Sequence, residues 1–215
     1  MAQSDLGADW YPSVESGPEM ELREKASRFL GQVFRVGDEC AAADALAAVR
    51  RTHHAATHHC WARRLGVPEA VQERFDDDGE PSGTAGAPLL TVLAGANIYG
   101  VLLVVTRYYG GTKLGRGGLA RAYAEAARQA VAAAPRREVF RETRLAIECP
   151  FGDVGAVEAV LAREAARVRG TEREFAEDGA RFCVTVLRGD ASPLESALTQ
   201  ATAGRARVVR PECAD

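Results

Sequence analysis

The fold is organised around residues 107–123, whose sequence is RYYGGTKLGRGGLARAY. Before this stretch, residues 98–106 (IYGVLLVVT) are almost continuously apolar and β-branched, which predicts a strand buried on both faces. After it, residues 119–133 are rich in alanine and predict a helix with one narrow polar stripe. A glycine-rich loop between a strand and a helix leaves backbone N–H groups free to bind an anion. The alternative is that the glycines serve only tight turns and close packing.

Basic side chains surround this loop, namely Arg107, Lys113, Arg116 and Arg121. They would place positive charge around a bound phosphate. The loop matches neither the G-x-x-x-x-G-K-[ST] pattern nor a dinucleotide-binding fingerprint, and we expect no cofactor. Tyr108 and Tyr109 would offer ring faces to an unstacked base, although core packing is the alternative for at least one of them.

A second informative stretch is residues 76–88, DDDGEPSGTAGAP, which predicts a loop followed by a short helix over residues 84–93. Ser82 or Thr84 would be the N-cap of this helix. The acidic residues have two possible roles, and the candidates are Asp77, Asp78 and Glu80. They would hold a hard cation such as Mg²⁺, or they would bond to backbone N–H groups and pair with arginines of residues 107–121. Because the two glycine-rich loops carry opposite charge, we expect them to be neighbours at one end of a sheet.

All four histidines lie within residues 53–59, immediately before Cys60. Residues 57–65 predict a strand, on which His59 and Trp61 share one face while His58 and Cys60 share the other. A transition-metal site is one hypothesis for this cluster. Neighbouring residues on a strand point to opposite faces, however, and no matching Cys/His pair exists elsewhere in the sequence. We therefore expect no metal here, and we keep His59 as a candidate binding residue.

Composition sets broad limits on the class of protein. The 215 residues carry a net charge of −3 and five scattered cysteines without a C-x-x-C pair. This pattern favours reduced thiols and a cytoplasmic location. No run of 18 uncharged apolar residues exists, so we expect no membrane partner. Residues 1–18 lack a signal-peptide pattern and are expected to form a mobile tail.

Three blocks together resemble the YigZ/IMPACT family over about residues 20–134. They are HHCWARRLG (residues 58–66), DDGEPSGTAGAPLL (77–90) and VVTRYYGGTKLGRGGLARAY (104–123). The one departure is Tyr108-Tyr109, where the family usually has Tyr-Phe. The resemblance implies an α/β domain with the left-handed β-α-β arrangement of a small-subunit ribosomal protein and of elongation factor G domain IV. Eukaryotic members of this family act in translation control, whereas bacterial members lack an established reaction, so the resemblance transfers no catalytic residue.

The remaining sequence predicts a second domain and an α+β fold class. The predicted order is a tail (1–18), an IMPACT-type domain (19–134), a proline- and arginine-containing linker (135–142) and a ferredoxin-like domain (143–211). The second domain has the order β-α-β-β-α-β, with Asp178-Gly179 as a hairpin turn and residues 192–195 (SPLE) as a capping box. A small domain of this kind also resembles elongation factor G domain V.

Three classes of function follow from these patterns. The leading one is a non-enzymatic binding protein that contacts RNA, the ribosome or a protein partner in translation control. The second is an enzyme or binder for a small phosphorylated ligand, with Mg²⁺ held by the acidic residues and His58 or His59 as a base. The third is a structural module whose motifs only determine the fold.

Overall fold

The computed structural model describes residues 9–210, and these residues divide into two compact units. The first unit is Tyr11–Val139, and the second consists of residues 140–210 together with residues 9–10. Both units combine antiparallel sheet with helices, so the predicted α+β class is confirmed. Among the described residues, no helix has both the length and the apolar character needed to cross a bilayer.

The first unit contains a five-stranded sheet and three helices. In chain order, its elements are β1 (Trp10–Val14), β2 (Met20–Glu24), β3 (Ser27–Arg35), α1 (Glu39–Thr52), β4 (His58–Leu65), β5 (Gln72–Asp76), α2 (Gly86–Gly95), β6 (Val101–Tyr108), α3 (Gly115–Ala133) and β7 (Arg136–Phe140). The sheet order is β2-β3-β6-β4-β5, and every neighbouring pair is antiparallel. β1 and β7 form a separate two-stranded sheet.

The central strand β6 is buried on both faces, as its apolar run predicts. Val101, Leu103 and Val105 pack into the core cluster beneath α2 and α3. Leu102 and Val104 point the other way, into the cluster beneath α1. Burying both faces of one strand removes a large apolar area from water, which makes β6 the main hydrophobic anchor of the sheet.

The alanine-rich sequence of α3 allows this helix to lie very close to the sheet. A Cβ atom at Gly31 of β3 would stand 2.7 Å from the carbonyl oxygen of Ala126. Ala126 and Ala130 are fully buried at this contact. The small residues on both elements therefore let the C-terminal half of α3 pack directly against β3.

Two boundaries differ from the sequence predictions. The predicted tail is wrong for residues 10–14, because these form β1, in which Val14 is buried and Ser13 Oγ donates to the Tyr99 carbonyl at 2.7 Å. Residues 1–8 lie outside the described part of the chain. Most of the predicted linker belongs to β7 and to the strand that follows it.

The second unit has the ferredoxin-like strand order. Its elements are β8 (Glu142–Pro150), α4 (Val154–Arg163), β9 (Val168–Phe175), β10 (Gly179–Leu187), α5 (Ala191–Ala201) and β11 (Arg207–Val209). The antiparallel order β11-β8-β10-β9 is that of the split β-α-β motif. The predicted capping box is wrong, because α5 already begins at Ala191 and Ser192 Oγ accepts a hydrogen bond from Arg210 instead.

Candidate functional site

Asp77 shapes the acidic loop, which we define as residues 76–80. Its carboxylate accepts hydrogen bonds from the backbone N–H groups of Gly83, Ala85 and Gly86 at 2.8–2.9 Å. Burial alone would raise the pKa of Asp77, but these three donors outweigh it and leave the pKa below its ordinary value. Asp77 therefore caps α2, and the expectation that Ser82 or Thr84 is the cap is wrong.

Asp78 is also occupied by protein donors. Its Oδ2 accepts from the backbone N–H of His59 at 2.7 Å, and its Oδ1 pairs with Arg50 at 2.9 Å. Its carbonyl oxygen accepts from Nδ1 of His58 at 2.8 Å. Asp77 and Asp78 thus take the backbone-bonding role. Within residues 9–210, no group of three or more His, Cys, Asp or Glu side chains has an arrangement that could hold a metal ion.

Glu80 and Arg107 form a buried ion pair between the acidic loop and the end of β6. Arg107 Nη1 lies 2.6 Å from Glu80 Oε1, and the side chains are only 6% and 3% exposed. The Tyr123 hydroxyl, from α3, donates to the same carboxylate oxygen at 2.7 Å. Arg107 also reaches Ser27 Oγ at 3.3 Å. One ion pair therefore connects the acidic loop, the central strand and α3.

Cys60 extends this network into the core. Its thiol lies 3.3 Å from the Tyr123 hydroxyl and 3.0 Å from the carbonyl oxygen of Asp77. Burial raises the pKa of Cys60 to about 12 and moves the pKa of Tyr123 well above its ordinary range. Both groups are consequently protonated at neutral pH, and Arg107 is the cation that balances the charge of Glu80.

The basic loop, residues 109–116, has its shape imposed by three glycines. Gly111 and Gly115 have φ values of +86° and +72°, which side chains rarely adopt. A Cβ atom at Gly110 would stand 1.7 Å from the carbonyl oxygen of Ala26, so only glycine fits there. Arg116 Nη2 donates to the Ser82 carbonyl at 2.9 Å. This hydrogen bond joins the basic loop to the segment that follows the acidic loop.

A cavity of about 470 Å³ opens between these two segments, and we call it the loop cavity. Its polar and aromatic lining includes His58, Glu80, Arg107, Tyr109, Lys113 and Arg116. Pro81, Leu114 and Leu119 supply apolar walls. The expectation that the acidic and basic loops are neighbours is confirmed by the Arg107–Glu80 and Arg116–Ser82 contacts. Of the described residues that line the cavity, three are cations and only Glu80 is a carboxylate.

Comparison with known proteins identifies the family. Residues 25–131 match the model of the Impact N-terminal domain. An IMPACT family member from Thermus thermophilus is 37% identical over 180 residues, which cover 83% of this chain and 95% of that protein. The chain belongs to the IMPACT family. The matched region of this family contains every residue that lines the loop cavity.

Other relatives agree with this assignment. YigZ from Escherichia coli is 38% identical over 138 residues, covering 64% of this chain and 68% of that protein. An IMPACT family member from Haemophilus influenzae is 41% identical over 113 residues, or 52% of this chain. The match spans only 55% of the Haemophilus protein's length. A crystal structure of a hypothetical protein superposes with a TM-score of 0.68 at 27% identity, covering 95% of this chain and 98% of that one.

Besides Asp77 and Asp78, three candidate residues of this IMPACT-family chain do not line the loop cavity. The Tyr108 hydroxyl lies 3.1 Å from His53 Nδ1, and its ring is half-buried beside Arg28. His59 is buried, its Nε2 lies 3.2 Å from the His53 carbonyl oxygen, and burial lowers its pKa. Arg121 is exposed and lines a separate depression near Glu125. These three side chains belong to the surroundings of the site.

Two residues of the site network, Tyr123 and Ser27, were not among the sequence candidates. Tyr123 follows Leu119 by four positions, which places both side chains on the same face of a helix. Leu119 lines the cavity, and Tyr123 bonds to Glu80 beneath it. Helical spacing within the glycine-rich block therefore pointed to Tyr123. The role of Ser27 had no such signal, because it depends on a contact across 80 positions of the chain.

Proposed function

We propose that this chain is a non-enzymatic binding protein that contacts RNA, at the ribosome or in association with translation, through its basic loop. The charge distribution around the loop cavity carries this proposal. Glu80 is neutralised by Arg107, Asp78 pairs with Arg50, and Asp77 is surrounded by backbone N–H groups. The carboxylates of the acidic loop are therefore already paired, and they do not neutralise the positive charges of Lys113 and Arg116.

The two cations are available to a ligand. Both residues are exposed, and the side-chain nitrogen of Lys113 has no partner within residues 9–210. Arg116 bonds only to a carbonyl oxygen there, which leaves its positive charge unpaired. Exposed, unpaired cations beside uncapped backbone N–H groups are the usual composition of a phosphate contact. Similarity to a family with members in translation control makes ribosomal or messenger RNA the favoured source of that phosphate.

The test is a binding titration with labelled RNA at several salt concentrations. We expect the Lys113→Ala, Arg116→Ala double variant to fold normally, because surface substitutions cost little stability. Its affinity should fall, and the slope of log K against log salt should become shallower by about 0.7 for each phosphate that the variant no longer neutralises. Circular dichroism melting checks the fold of the variant.

The matched control is the Arg121→Ala, Arg128→Ala double variant. It removes the same charge from exposed positions of the same unit, but both residues lie outside the loop cavity. We expect it to retain the wild-type salt slope. Equal losses in both double variants would mean that attraction is diffuse and that the basic loop is not the site. Absence of RNA binding by the wild-type chain at low salt would end the RNA proposal and favour an acidic protein partner.

A further inference from the structure

We propose that the loop cavity receives one unstacked nucleotide of a single RNA strand, with its phosphate at Lys113 and Arg116 and its base against Tyr109. This inference rests on the RNA contact proposed above and adds which form of RNA is bound. The volume of about 470 Å³ is of the size that holds a small organic ligand. A base within a duplex is stacked and paired, and it cannot enter a cavity of this kind.

The N-terminal end of α3 provides the position for phosphate. No side chain caps this end, and its first turn contains no acidic residue. Arg116 lies instead in that first turn, where the helix dipole disfavours a cation. Gly115 lines the cavity, and a Cβ atom there would meet nothing within 4 Å, so its backbone is uncovered. A bound phosphate would satisfy both the free N–H groups and the arginine.

Tyr109 provides the surface for a base. The residue is 44% exposed, and its ring centroid lies 5.3 Å from the Arg107 guanidinium carbon. That guanidinium is itself fixed by Glu80 and by the ring of Phe29. The ring is thus held in place before any ligand arrives, which lowers the entropy cost of stacking a base on it.

His58 supplies a hydrogen-bond acceptor at the same cavity. Its Nδ1 lies 2.8 Å from the carbonyl oxygen of Asp78, which can only accept, so Nδ1 carries the proton of the neutral ring. Nε2 is then an acceptor, and it is 3.9 Å from Glu80, beyond hydrogen-bond distance. An N–H of the base or a hydroxyl of the ribose is the donor that fits this atom.

The experiment compares a labelled 12-nucleotide oligouridine with a 12-base-pair RNA duplex, using the full chain at low salt. We expect the single strand to bind at least about tenfold more tightly than the duplex. Tyr109→Leu should weaken the single strand by about tenfold, the usual cost of losing one stacked base, and leave duplex binding unchanged. Tyr109→Trp should retain the single-strand affinity, because it keeps an aromatic face. Uridine monophosphate should compete for the wild-type site.

Phe75→Leu is the matched control, since Phe75 is 45% exposed in the same unit and lies outside the loop cavity. It should bind both RNAs as the wild-type chain does. One result would overturn the proposal of a nucleotide pocket and leave the RNA contact standing. In this result, single strand and duplex bind equally and Tyr109→Leu has no effect, but the Lys113→Ala, Arg116→Ala variant binds more weakly. In that case the basic loop still contacts the RNA backbone. Failure of the wild-type chain to bind either RNA would overturn both proposals.

Discussion

The buried Arg107–Glu80 pair should be the most sensitive point of the first unit, and Arg107→Met tests this. Methionine is unbranched like arginine, but the substitution removes the guanidinium that lies 2.6 Å from the carboxylate of Glu80, whose side chain is 3% exposed. Glu80 would then retain the Tyr123 hydroxyl as its one close donor among the described residues. Removing one partner of a buried ion pair leaves an uncompensated charge and costs about 3–5 kcal/mol.

Urea unfolding measures this cost in the first unit when it is followed through the fluorescence of Trp61 in a Trp10→Phe background, because Trp10 is the other tryptophan of the chain. The control is Arg128→Met, which breaks the Arg128–Glu125 pair, whose side chains are 58% and 45% exposed. An exposed pair of this kind contributes about 0.5 kcal/mol or less. Adding Glu80→Gln to Arg107→Met should recover part of the stability, because the buried charge is then gone. A cost below about 1 kcal/mol for Arg107→Met, equal to the control, would refute the view that this pair holds the acidic loop to the end of β6.

Two further predictions concern the acidic loop and its neighbours. Asp77→Ala should destabilise the first unit by about 2 kcal/mol in the same urea titration, because three backbone N–H groups lose their acceptor. The control Asp38→Ala removes a cap that accepts only one such hydrogen bond, and it should cost about half as much. The pKa of Asp77 is lowered in the folded state, so its contribution to the free energy of unfolding should be complete above its ordinary pKa of 3.8. This contribution should disappear as the pH falls through the pKa of the folded state. If the stability of the wild type and of Asp77→Ala depended on pH in the same way, this prediction would be contradicted. Iodoacetamide at pH 8 should label the exposed Cys40 within minutes and leave Cys60 unmodified, because its buried thiol has a pKa of about 12; equal labelling of both by mass spectrometry would contradict the burial.

Local patterns were sufficient for the elements with strong periodicity. β6 was predictable because both faces are apolar, and β4 because alternation separates Trp61 from Cys60 and Ala62. β5 was missed because its sequence, QERFD, is exposed throughout and lacks alternation. It is a strand because its backbone pairs with β4. The start of α3 was placed four residues late, since glycine has low helix propensity and packing overrides that preference here.

The candidate site was predictable in its composition but not in its detailed membership. The two charged loops, with Arg107, Glu80, Lys113 and Arg116, could be named from sequence. The cap of α2 could not, because Asp77 lies nine positions before the first residue of that helix. Arg121 was named as a candidate because it lies close in sequence to the glycine-rich loop. It follows Leu119 by two positions, which turns it by about 200° around the helix and away from the cavity.

The most direct test of the central claim is ultraviolet crosslinking in cells that express the chain, followed by mass spectrometry of peptides that carry a nucleotide. We predict an adduct on the tryptic peptide YYGGTK, residues 108–113, which contains Tyr109 and ends at Lys113. In the Lys113→Ala, Arg116→Ala variant, trypsin leaves residues 108–121 as one peptide, and this peptide should carry far less adduct because the variant binds RNA more weakly. The peptide YYGGTK of the Arg121→Ala, Arg128→Ala control should carry the wild-type amount. RNA adducts confined to residues 140–210, or no RNA adduct at all, would contradict the assignment of the loop cavity as the binding site.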